Sequence, residues 1–103
     1  MNPNNFFSQL NKFLDTATKD ERINMPHLCV YNALFHCWNK NHFQNPVKIR
    51  RVEIMRLSKI HAKTTYHKCM KELQEAGYIK YEPSFKPEGS LVYIINLQLD
   101  VLA

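Results

Sequence analysis

Residues 58–81 read SKIHAKTTYHKCMKELQEAGYIKY, and they combine an apolar stripe with a polar, cationic face. At about 100° per residue, the stripe gathers on one side of a helix, within about 80° of Ala62. It contains Tyr66, Cys69, Met70, Leu73 and Ala76. The opposite side carries Thr64, His67, Lys68 and Lys71. The pattern predicts a helix over about 62–76 that ends at Gly77, a residue able to take the left-handed C′ conformation.

Positive charge is concentrated around this helix. The 103 residues carry 14 Lys and Arg against 9 Asp and Glu, a net charge of +5. Residues 46–71 hold eight of the basic residues and one acidic residue, a net of +7. A basic segment of this density in a small domain indicates an acidic partner, and nucleic acid is the commonest one.

The polar face of the predicted helix has two interpretations. Most lysine-rich helix faces are simply solvated surface. Here, however, short hydrogen-bonding side chains stand among the lysines, and these can read base edges while the cations contact phosphates. We therefore predict phosphate contacts from Arg50, Arg51, Arg56, Lys59, Lys63, Lys68 and Lys71. Base readout is predicted for Thr64, Thr65 and His67, with Lys68 or Lys71 as a guanine ligand.

The remaining chain predicts an α+β domain that is mainly helical. An amphipathic helix is expected near the start, with an apolar stripe of Phe6, Phe7, Leu10, Phe13 and Leu14. A second helix from about Pro26 is apolar nearly all round and should be buried on several sides. A short strand is expected at 47–49 and a short helix at 51–57, and two strands at 78–82 and 91–97 flank the loop sequence PSFKPEGS.

The run AKTTYHKCMKELQEAGYI resembles the recognition helix and first wing strand of bacterial winged helix-turn-helix DNA-binding proteins. The winged-helix element order covers roughly 28–97, so we divide the chain into the N-terminal amphipathic helix over 1–22 and a winged-helix domain over 23–103 with a two-stranded C-terminal wing. The resemblance also implies that the helix enters the major groove while the wing loop, including Lys86, approaches flanking DNA. Two positions depart from the family pattern: Ala62 stands at the N-cap, and the interhelix turn KIHA lacks glycine.

The function implied is sequence-specific binding of double-stranded DNA by a small cytoplasmic transcription regulator. Upstream, the run VYNALFHCWNKNHFQNPVKI is similar to winged-helix heads of replisome-organiser and replication-initiation proteins from phages and mobile elements. A replication or recombination accessory role is therefore an alternative. A protein-protein interaction module is another, because winged helices also serve as scaffolds. The N-terminal stripe either covers the second helix or forms a homodimer interface.

Other chemistry finds little support in the sequence. The five histidines and three cysteines show no paired spacing typical of a metal site, so we predict no metal, buried reduced thiols, and imidazoles at the surface. Two glycines are too few for a phosphate-binding or dinucleotide-binding loop, and neither a nucleophile elbow nor a carboxylate pair stands out. We therefore predict no enzymatic activity and no cofactor. No apolar run approaches the roughly 18 residues of a membrane span.

Overall fold

The computed structural model describes residues 3–86 and 88–97, with side chains from residue 7 onward. Two helices precede the three-stranded sheet along the chain, and two more lie between its first and second strands. This arrangement confirms the predicted α+β class. The elements are α1 (Pro3–Ala17), α2 (Met25–Lys40), β1 (Val47–Ile49), α3 (Arg51–Ser58), α4 (Lys63–Glu75), β2 (Ile79–Glu82) and β3 (Ser90–Ile94). None of the helices in the described part has the length and apolar character needed to cross a bilayer.

The sheet is antiparallel with the strand order β1-β3-β2, so the last strand lies between the other two. Ile49 faces Ser90 across one ladder, and Tyr81 faces Val92 across the other. The side-chain amide of Asn45 donates to the Ile94 carbonyl at 2.9 Å and accepts from the Ile94 amide at 3.0 Å. This side chain thus continues the β1–β3 hydrogen bonding before β1 begins.

The core forms where α2 is enclosed by the other elements. Its side chains Val30, Tyr31 and Leu34 are no more than 1% exposed. Ile54 of α3 and Leu73 of α4 are fully buried against the same core. Each buried side chain of this size contributes roughly 1.5–3 kcal/mol through removal from water. The prediction that α2 would be buried on more than one side is confirmed, and its burial fixes α3 and α4 on a common support.

Helix α1 contacts the core through part of the predicted stripe, Leu10 and Phe13, together with Gln9 and Ala17. The Phe13 ring stacks on Tyr31 with centroids 3.6 Å apart, and Ala17 is buried one turn later. Phe7 and Leu14 are 67% and 41% exposed, and the side chain of Phe6 lies outside the described residues. The expectation that the whole stripe packs together is therefore wrong for Phe7 and Leu14. The buried face of α1 is centred on Gln9, Phe13 and Ala17 instead.

Gln9 is a fully buried polar residue whose hydrogen bonds join distant parts of the chain. Its Nε2 donates to the Tyr31 hydroxyl at 3.1 Å and to the Ile95 carbonyl at 2.9 Å. Its Oε1 accepts from the Leu97 amide at 3.0 Å. A buried amide is stable only when its donors and acceptor are satisfied. Gln9 therefore connects α1, α2 and the segment after β3 through one side chain.

The link from α1 to α2 is anchored by Asp20. Its carboxylate accepts two hydrogen bonds from the Arg22 guanidinium, at 2.9 and 2.8 Å. The Tyr78 hydroxyl donates to the same carboxylate at 3.0 Å. The Arg22 hydrogen bonds hold the pKa of Asp20 well below its usual range, and burial raises the pKa of Tyr78 to about 12. This contact fixes the start of β2 to the α1–α2 connection.

Helix α4 spans nearly the predicted range and ends at the predicted glycine. Gly77 has a φ of +88°, a left-handed value that favours glycine. The Tyr78 amide donates to the Leu73 carbonyl and the Gly77 amide donates to the Gln74 carbonyl, both at 3.0 Å, which is a Schellman motif. The Gln74 side chain then accepts from the Tyr81 amide at 2.6 Å. These bonds join α4 directly to β2.

Candidate nucleic-acid interface

The two faces predicted for α4 are distinct in the structure. Tyr66, Cys69, Met70 and Leu73 are buried, each no more than 2% exposed. The polar side chains Lys63, Thr64, His67, Lys68 and Lys71 are exposed, whereas Thr65, about 60° from Ala62, is half-buried at the edge of the core side. Ala62 is the N-cap, is exposed, and caps the helix with no side-chain hydrogen bond. Ala62 therefore lies outside the buried face of α4, although the predicted stripe was positioned relative to it.

The other predicted cations precede α4 on α3 and the following turn. Arg50 is the N-cap of α3, has an extended backbone and is exposed. Arg51 is half-buried in the first turn, whereas Arg56 in the last turn and Lys59 after it are exposed. The predicted cations from Arg50 to Lys71 thus lie on the consecutive elements α3, turn and α4, and both helices pack against α2.

An open depression of about 510 Å³ lies beside the turn between α3 and α4. Four of the predicted cations line it together with apolar side chains and one imidazole. The lining residues are Arg51, Val52, Met55, Arg56, Lys59, Ile60, His61 and Lys63. Cations around an apolar floor suit a nucleic-acid backbone, because phosphates and sugars alternate along it.

The turn closes without glycine because Lys59 adopts the left-handed conformation. Its φ and ψ are 62° and 25°, and the Ile60 amide donates to the Met55 carbonyl at 3.1 Å. A side chain at such a position costs about 1–2 kcal/mol, a cost that glycine avoids. The glycine often found in this turn of the resembled family is thus replaced by a strained lysine. Compared with glycine, Lys59 adds a positive charge to the turn and lowers the free energy of unfolding of the domain.

Replacing Lys59 with glycine is therefore expected to change stability and DNA binding in opposite directions. Relief of the left-handed strain should raise the free energy of unfolding by about 1 kcal/mol. Loss of the phosphate contact predicted for Lys59 should reduce the salt slope of duplex binding by about 0.9. Urea unfolding and fluorescence anisotropy measure the two effects. The matched variant Lys19→Gly, outside the basic segment, should leave the slope unchanged, and an unchanged slope for Lys59→Gly would remove Lys59 from the interface.

The acidic residue Glu72 of α4 is turned away from the lysines of the exposed face. Glu72 is four residues from Lys68, but its carboxylate lies 3.0 Å from His27 Nε2 at the start of α2. The Asn24 amide donates to His27 Nδ1 at 2.9 Å, so the neutral ring carries its proton on Nε2 and donates to Glu72. Lys68 makes no ion pair with any described residue. Its charge is therefore available to a partner.

Two observations bear on the predicted free lysines and surface imidazoles. Lys71 lies 3.9 Å from Glu75, but both side chains are well exposed, and such pairs contribute about 0–1 kcal/mol. His27 is only 5% exposed, so the expectation that the imidazoles lie at the surface is wrong for this residue. The ring serves as a structural link between α2 and α4.

The loop between β2 and β3 lies next to the N-terminus of α3. A Cβ added to Gly89 would overlap the Ile49 carbonyl and lie 3.4 Å from Arg50 Cγ. The predicted contact residue Lys86 is exposed in this loop, and so is Phe85, at 108%. Phe85 was not among the predicted contact residues. The available signal was an aromatic residue within an otherwise polar, proline-containing loop.

The thiols and histidines of the described residues do not form a metal site. No group of three or more His, Cys, Asp or Glu side chains within residues 3–86 and 88–97 is arranged to hold an ion. Burial, reinforced by Glu53, raises the pKa of the Cys37 thiol to about 11. A thiol must lose its proton to bind a metal, so this environment disfavours metal binding by Cys37.

Comparison of the chain with protein-family models, with curated proteins and with solved structures found no match. Function must therefore be inferred from surface chemistry. The most distinctive surface of the described residues is the basic one formed by α3, the turn and α4. Lys86 lies apart from it in sequence, but the contact of Gly89 with Ile49 brings its loop beside Arg50.

Proposed function

We propose that this protein is a winged helix-turn-helix protein that binds double-stranded DNA in a sequence-specific manner. The element order and the β1-β3-β2 sheet support this, because a helical pair leads directly into a β hairpin. In this interpretation α3 and α4 form the helix-turn-helix, and β2, β3 and their loop form the wing. A small transcription regulator fits the proposal, and an accessory factor of mobile-element replication would use the same surface.

The observation that carries the proposal is the unopposed charge on the exposed face of α4. Lys63 and Lys68 have no ion-pair partner among the described residues, and Glu72 is turned toward His27. In the proposed complex α4 lies in the major groove, where Thr64 and His67 reach base edges. The lysines and the α3 arginines contact phosphates on either side and set the position of the helix.

The direct test is fluorescence anisotropy of a labelled duplex of arbitrary sequence at several salt concentrations. Phosphate contacts release counterions, so log K should fall against log salt by about 0.9 per contact between roughly 50 and 200 mM. We expect a slope equivalent to about four to six phosphates. If no duplex binds even at the lowest salt, the DNA-binding proposal fails. The basic surface would then be assigned to an acidic protein partner.

A further inference from the structure

Phe85 is the most exposed large apolar side chain of the described residues and has no evident role in the fold. Its relative exposure of 108% means that the ring protrudes from the loop and packs on no described side chain. Aromatic rings carry a large apolar surface that is strongly favoured in a partner's groove or stack. The protruding Phe85 ring therefore offers a large apolar surface to a partner of the loop.

The described residues on both sides of Phe85 are held by hydrogen bonds within the loop. The Ser84 amide donates to Ser90 Oγ at 2.9 Å, and the Lys86 amide donates to Ser84 Oγ at 3.1 Å. The Gly89 amide donates to the Lys86 carbonyl at 3.0 Å. The residues on both sides of Phe85 are therefore held by the same serine pair. A ring on a preorganised loop loses less conformational entropy when it binds.

The charges around Phe85 indicate the chemistry of its partner. Lys86 follows it, Arg50 lies against Gly89, and Lys48 is exposed on β1 opposite Leu91. Two glutamates are also exposed nearby; Glu88 lies in the loop, and Glu82 pairs with Lys80 at 3.6 Å. Apart from the Lys80–Glu82 pair, the cations Lys86, Arg50 and Lys48 outnumber Glu88, and an apolar ring beside such an excess suits a polyanion with apolar surface between its charges. Duplex DNA has this character, since stacked bases lie between two rows of phosphates.

We propose that Phe85 enters the minor groove beside the α4 site, partly unstacks one base step and bends the duplex. This inference rests on the proposed DNA-binding function, which places the wing beside the flanking duplex. Apolar side chains inserted from the minor groove partly unstack a base step and kink the duplex toward the major groove on its opposite side. Flexible pyrimidine–purine steps under the wing should be favoured, because they unstack most easily.

The test uses a duplex of about 25 base pairs with a central TA step and a donor and an acceptor dye at its ends. Wild-type protein, Phe85→Ala, Phe85→Leu and the control Phe7→Ala are compared by anisotropy and energy transfer. Phe7 is a matched control because it is an exposed phenylalanine on α1. Phe85→Ala should bind on the order of tenfold more weakly with an unchanged salt slope, because a stacking contact carries no charge. Phe85→Leu should retain part of the affinity.

The bending arm distinguishes insertion from simple contact. Wild-type protein and Phe7→Ala should raise the energy transfer on binding, whereas saturating Phe85→Ala should not. Equal affinity and equal energy transfer for Phe85→Ala and wild type would overturn the inference and leave the proposed function standing. Weaker binding with no energy-transfer change in any variant would overturn the insertion. If wild-type protein binds no duplex, the proposed function itself fails.

Discussion

Replacing Lys68 and Lys71 together with alanine is expected to weaken duplex binding on the order of 50-fold at 0.1 M salt. Each lysine is predicted to contact one phosphate, so the salt slope should fall by about 1.8. Both side chains are exposed on α4, and among the described residues their replacement breaks one ion pair, the exposed contact of Lys71 with Glu75. The free energy of unfolding should therefore change by no more than about 0.5 kcal/mol. Anisotropy titrations with wild type and variant measure both the affinity and the slope.

The matched control is Lys12→Ala with Lys19→Ala, which removes the same charge outside the basic segment. Lys12 lies on α1 and Lys19 follows it, so neither belongs to the proposed interface. This variant should retain nearly the wild-type affinity apart from a small effect of net charge. If the two double variants weaken binding equally, binding follows net charge and α4 is not the recognition element. If neither does, a different surface contacts DNA.

Replacing Gln9 with alanine should lower the free energy of unfolding by about 3 kcal/mol. The change removes a fully buried side chain and leaves the Tyr31 hydroxyl, the Ile95 carbonyl and the Leu97 amide without their partner. Each buried group left unsatisfied costs about 1–3 kcal/mol, partly offset where water can reach it. For a domain of this size the melting temperature should fall by roughly 10–20 °C. Urea and thermal unfolding followed by circular dichroism measure the loss.

Asn11→Ala provides the control for Gln9→Ala on the same helix. Asn11 is exposed on α1, so its replacement by a better helix former should change stability by less than about 0.5 kcal/mol. Equal stability of the two variants would show that Gln9 does not connect α1 to the rest of the domain. Fluorescence of the single tryptophan, Trp38 on α2, provides an independent probe of the same transition.

The sequence allowed α4 and its connection to β2 to be predicted nearly to the residue. The reason is that Tyr66, Met70 and Leu73 keep helical spacing over several turns and Gly77 ends the helix. The short strand β1 also lies where it was predicted, because Pro46 and the preceding polar residues separate it from α2. Local signals of this kind act over a few residues, so they can be read without knowing the fold.

The buried polar residues could not be predicted in the same way. Gln9 and His27 are polar, so helical periodicity assigns them to the surface, and only their partners explain why they are inside. Those partners lie up to 88 residues away for Gln9 and 45 residues away for His27. The exposure of Phe7 has the same origin, because the Gln9 contacts set the rotation of α1. Long-range hydrogen bonds leave no periodic trace in a single sequence.

The contact between Gly89 and the Ile49 carbonyl has a consequence for the length of a DNA site. No methyl group fits at this position, so the hairpin loop stays against the N-terminus of α3. Stacked base pairs repeat every 3.4 Å along the duplex, and a loop displaced by about that distance would meet the neighbouring base pair. In the proposed complex, the missing side chain of Gly89 thus fixes how many base pairs separate the helix contact from the loop contact.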